Sequence, residues 1–73
     1  MTMAALQQHL SPQQFSCVYY LLQDKSNKEI AKLLELSPRT VEHYLEAARH
    51  KLECRSRLEL VKKVLILTMN RAE

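Results

Sequence analysis

Glycine is absent from all 73 residues. That excludes a glycine-rich phosphate loop, which relies on torsions and close backbone approach that glycine supplies at no steric cost. Long apolar runs are missing too, and nothing in the chain approaches the roughly 20 residues of a membrane-spanning helix. The opening MTMAALQQHL has neither a basic leader nor a long apolar core, so no secretory signal is expected there. Formal charge is lacking in the first third, since residues 1–23 contain no Lys, Arg, Asp or Glu. Cysteine is scarce. Cys17 and Cys54 stand too far apart for a metal knuckle, and His9, His43 and His50 do not complete a finger around them. Two free thiols in a reducing, cytoplasmic setting are expected, with no metal and no cofactor.

What is present is a globular composition, 47% apolar and 26% charged, on a length that suits one small domain of marginal stability. Residues 24–53 carry six basic and six acidic side chains, while residues 54–73 carry five basic and two acidic ones. The whole net charge of +3 therefore comes from the C-terminal third, where a basic patch can form.

Four serines announce helix starts. Ser11 precedes Pro12 and Gln14, Ser26 precedes Glu29, Ser37 precedes Pro38 and Thr40, and Ser56 precedes Glu59. A capping Ser accepts from the amide three residues on, and a Glu or Gln at that place reaches back, so three of the four starts carry a capping box. Pro12 and Pro38 fall at the first helical position, where a missing amide costs nothing. No strand-like alternation competes. The expected fold is all-α: a compact set of four helices at about 12–23, 27–34, 38–52 and 57–69, with residues 1–9 as a linker or N-terminal arm and 10–73 as the domain. The first helix is expected to turn Phe15, Val18, Tyr19 and Leu22 to one face, and the third to bury Val41, Tyr44, Leu45, Ala48 and Leu52. The last helix is expected to carry Leu58, Val61, Leu65 and Thr68 on one stripe. Between the second and third helices stand only Glu35, Leu36 and Ser37, the geometry of a helix-turn-helix.

At SNKEIAKLLELSPRTVEHYL, with LSPQQ before it and KLECRSRLELV after it, the chain from Leu10 to about Val64 resembles the DNA-binding domain of the LuxR/GerE family of bacterial transcription regulators. The resemblance implies a helix-turn-helix domain that reads the major groove of double-stranded DNA with helix 38–52 and forms a homodimer through helix 57–69, either alone or only on DNA. It leaves two forms open: a fragment whose regulatory N-terminal domain lies outside this chain, or a stand-alone member of the family. Part of the same stretch, SPRTVEHYLEAARHKL, also looks like the promoter-binding region four of sigma factors, but a fourth helix begun at Ser56 favours the LuxR/GerE reading. One departure stands out. Where the family usually has glycine at three helix-ending turns, this chain has Asp24, Glu35 and Glu53. Such positions often take a left-handed backbone, so the same fold at somewhat lower stability is expected.

The family's base-contacting positions correspond here to Glu42, His43 and Glu46, with Arg49 or His50 one turn further. Glutamate can accept from the amino group of cytosine, and histidine can donate to guanine. The two glutamates have a second, plainer role open to them, pairing along the surface with Arg49 or Lys51. Because carboxylates repel phosphate, affinity is expected from Lys28, Arg39, Thr40, Lys51, Arg55 and Arg57. On the last helix, Leu60, Val64 and Leu67 are expected as the exposed dimer stripe. Nothing resembles a catalytic constellation: no nucleophile, base and orienting group are brought together, so no enzyme is expected. The rival class is a protein-interaction module on the same fold.

Overall fold

The computed structural model describes residues 3–69, and these residues form five helices and no strand. They are α1 (Met3–His9), α2 (Pro12–Leu21), α3 (Asn27–Leu34), α4 (Pro38–Lys51) and α5 (Arg57–Met69). The serine starts are all used. Ser11 and Ser26 each close a complete reciprocal box, Ser11 with Gln14 and Ser26 with Glu29. Ser37 accepts from the Thr40 amide, with the two hydroxyls 2.9 Å apart. At α5 the box is shifted by one residue: Ser56 accepts from the Glu59 amide, but the Glu59 carboxylate takes the Arg55 amide at 2.7 Å rather than that of Ser56. A satisfied cap of this kind is worth about 1 kcal/mol.

The helix ends are equally specified. Asp24, Glu35 and Glu53 all have positive φ, at 64°, 58° and 57°. In each case the next residue donates back across the turn: Lys25 N–H to Tyr20 O, Leu36 N–H to Ala31 O and Cys54 N–H to Arg49 O, at 2.8–3.2 Å. The left-handed residue itself donates to the carbonyl three back. These are three Schellman closures, each made without the glycine that usually serves there. α2 accordingly ends at Leu21, two residues before the expected position 23.

Helix α4 lies at the centre, packed against α2, α3 and α5. It buries Val41, Leu45 and Ala48, three positions spaced at four and three residues and so on one face. Leu52 follows them into the core, and Tyr44 packs at its edge. α3 contributes Ile30 and Ala31. Three expectations are corrected. Residues 3–9 are helical where a linker or arm is expected: α1 packs on α2, Leu6 is fully buried and Leu10 nearly so, because two leucines four apart make one apolar face. On α2 the inward residues are Cys17, Val18 and Leu21, while Tyr19 is exposed, its ring stacked on Phe15 at a centroid distance of 6.3 Å. On α5 the expected stripe holds only at Val61, which packs against the core, and at the partly buried Thr68. Leu60 and Val64 are 1% and 0% exposed, so they belong to the monomer's core, and Leu67 is only partly exposed. Leu58 and Leu65 point outward at 64% and 41%. Both thiols are free and buried. Among the described residues no helix is long and apolar enough to cross a membrane.

Candidate nucleic-acid interface

The turn Glu35–Ser37 is held from inside. Leu36 packs against the core, its N–H bonded to Ala31 O, and the left-handed Glu35 reverses the chain. Ser37 then caps α4. With Val41, Leu45 and Ala48 buried, the 100° step of the helix turns Arg39, Glu42, His43, Glu46 and His50 to solvent, and all five are exposed. They form a continuous outward face. Arg39, Glu42, His43 and Glu46 line one shallow depression with Asn27 and Pro38, and Glu42 and Glu46 line a second with Arg49 and Arg57.

The structure separates the four residues expected to meet bases. Glu42 and His43 project outward with no hydrogen-bond or ion-pair partner among the described residues. Glu46 is exposed as well, but its Oε2 lies 3.5 Å from Arg49 Nη2. His50 Nε2 is 3.9 Å from the same oxygen, an attraction that operates only when the imidazole is protonated. Arg49 itself is turned away from solvent. Its Nη1 donates to Cys54 O at 3.1 Å and Arg55 O at 3.0 Å, which ties the guanidinium to the loop between α4 and α5.

The cations expected at phosphates are spread around this face. Lys28 is exposed in the first turn of α3, Arg39 in the first turn of α4, Lys51 at the end of α4 and Arg55 in the following loop. Thr40 is half-buried and its hydroxyl is shared with Ser37. Arg57 Nη1 donates to Asn27 Oδ1 at 2.8 Å, so the N-termini of α3 and α5 are fastened together. Sequence reasoning missed Asn27, and no local signal marks it, because its partner is thirty residues away. It also missed Lys63, whose Nζ donates to Leu52 O at 2.6 Å and so satisfies the end of α4.

The Glu29 carboxyl is held below its ordinary value by hydrogen bonds from Ser26 in the capping box. Burial pushes both the Cys17 and Cys54 thiols up, which keeps them protonated and unreactive. No group of three or more His, Cys, Asp or Glu is placed to hold a metal ion among the described residues.

Residues 8–64 match the family described as bacterial regulatory proteins, luxR family (GerE). Comparison with curated proteins and with solved structures gives no significant match.

Proposed function

The chain belongs to the luxR family of bacterial regulatory proteins, a helix-turn-helix family that binds DNA in transcription regulation, and on that premise we propose that it is a sequence-specific regulator whose α4 reads the major groove. The observation that carries this reading is the outward face of α4, where Arg39, Glu42, His43 and Glu46 stand together at the N-terminal half of a helix seated on the core by its opposite side. Helix-turn-helix readers present base edges to just this part of the second helix. Lys28, Arg39, Lys51, Arg55 and Arg57 supply the phosphate contacts that two surface glutamates cannot.

The site is two-fold symmetric and bound by a homodimer through α5. With Leu60 and Val64 in the core, the contact runs along Leu58, Leu65 and Met69, which are all exposed and lie seven and four residues apart on one stripe. Selection from random duplexes at about 50 mM and about 200 mM salt tests the reading. Five phosphate contacts per protomer give a salt slope near −4.5, roughly a 500-fold loss over that interval for one protomer. A palindromic motif with a steep slope is expected. No enriched motif and a flat salt response would instead make α5 and the acidic α4 face a protein-binding surface.

A further inference from the structure

We propose that Arg49 is a positioning residue that fixes Glu46, and that Glu46 and Glu42 together select cytosine at two places in the site. This deepens the groove-reading function and rests on it.

The placement of Arg49 is the starting observation. Its carbonyl accepts from Cys54 N–H at 2.8 Å while its guanidinium donates to the carbonyls of Cys54 and Arg55. Cys54 is buried in the core. The arginine is thus clamped at both ends to a turn that cannot shift without disturbing packing. Its other terminal nitrogen, Nη2, faces one oxygen of Glu46. That oxygen is partly neutralised, and the side chain is restricted before DNA arrives. The other oxygen, Oε1, has no partner among the described residues and remains free to accept. Glu42, one turn earlier, is unrestrained.

An ionised carboxylate only accepts hydrogen bonds. On major-groove base edges the donors are the amino groups of cytosine and adenine. Adenine's amino group is flanked by its own N7 and by thymine O4, both acceptors that repel a carboxylate. Cytosine's amino group has the carbon-bound hydrogen of C5 on its outer side, so one flank is free of repulsion. Guanine shows only acceptors. Residues four apart are separated by about 6 Å along the helix, close to two base-pair steps of about 3.4 Å. Two carboxylates at this spacing reach two cytosine positions in one half-site.

The test compares motifs selected from random duplexes by the unaltered chain and by Glu42→Gln, Glu46→Gln and Arg49→Gln, with folding checked by circular dichroism. The unaltered chain is expected to show two cytosine columns. Glutamine is the bidentate partner of adenine, so each Glu→Gln change moves its own column from cytosine to adenine and leaves the other alone. Arg49→Gln lowers the preference in the Glu46 column by roughly tenfold and spares the Glu42 column. If Arg49→Gln does not fold, Arg49→Lys retains a donor for the loop carbonyls but loses the nitrogen that faces Glu46, and it gives the same single-column loss. A salt-sensitive motif whose columns do not move in the Gln variants, or an Arg49 change that weakens every column evenly, overturns the inference and leaves groove reading intact. The absence of any motif overturns groove reading, and the inference falls with it.

Discussion

Asp24, Glu35 and Glu53 hold left-handed torsions with φ between 57° and 64°, each closing a helix by the same pair of backbone bonds, so glycine at these places tests what the three acids cost. A left-handed backbone at a non-glycine residue costs about 1–2 kcal/mol. Glycine's greater freedom in the unfolded chain takes back about 0.5–1 kcal/mol. The net gain is about 0.5–1 kcal/mol per site. Each carboxylate also sits at the negative end of a helix, and removing it adds about 0.3–1 kcal/mol. The sum is near 1 kcal/mol for a single substitution and near 3 kcal/mol for all three if they act independently. A domain of this length has only about 4–11 kcal/mol in total, so the triple variant changes a large share of it. Each single substitution is expected to raise Tm by roughly 5 °C, and the triple by roughly 15 °C. Thermal and urea melts followed by circular dichroism measure this, with an unchanged urea slope showing that the two-state transition is preserved. Glu35→Gln and Glu53→Gln remove charge and keep the torsion, so they should recover only about 40–50% of the gain. Asp tolerates the left-handed region better than Glu, and Asp24→Gly should gain least. Glycine variants no more stable than their glutamine counterparts would refute the torsional argument.

Further outcomes follow from the packing and the caps. Leu6→Ala should cost about 2–4 kcal/mol in a urea melt, because Leu6 is fully buried; a freely hanging arm would give almost no change. Leu60→Ala should cost about 2–5 kcal/mol, whereas Leu65→Glu should leave stability nearly unchanged and abolish self-association in sedimentation, the opposite of what an outward Leu60 would give. Glu29, whose folded carboxyl lies below its ordinary value of 4.5, contributes stability that is fully present above that value and is lost as pH falls through the lowered one. The advantage of the unaltered chain over Glu29→Gln should therefore be constant at neutral pH and shrink as pH drops below about 4.5, read from melts across the acid limb.

How far the fold is legible depends on which residue carries the signal. Ser11, Ser26, Ser37 and Ser56 act within three residues of themselves, and all four open a helix as expected. The turn residues act equally locally, and the left-handed torsions appear at the three acids named from sequence. Residues 3–9 gave no such signal. They have no capping serine and no charge, and α1 is only seven residues long, so it owes its place to burial of Leu6 and Leu10 against side chains outside the segment. Long-range bonds are illegible for the same reason. Nothing near Arg57 announces Asn27, and nothing near Lys63 announces Leu52.

The contrast between α4 and α5 shows why the outward face of one helix is legible in the sequence and that of the other is not. On α4 the apolar residues Val41, Leu45 and Ala48 occupy one face, and the charged residues fill the rest. Once the core face is known, the outward residues are fixed by subtraction, and Glu42, His43 and Glu46 have nowhere else to go. On α5 the run VLIL places apolar side chains on every side. Period alone then cannot choose between Leu60 with Val64 and Leu58 with Leu65, because both pairs fit a helical face. The choice is made by the rest of the core, which takes Leu60 and Val64, and by Lys63, whose ammonium must reach Leu52 O. What remains outside is an apolar stripe on a monomer this small, and that is the surface self-association would use. The same reasoning bears on Arg49. Its charge suggests a groove contact, but its position at the edge of the buried face of α4 lets it turn to the loop carbonyls instead. A residue bonded twice to its own backbone is poorly placed to reach a base, yet well placed to hold Glu46.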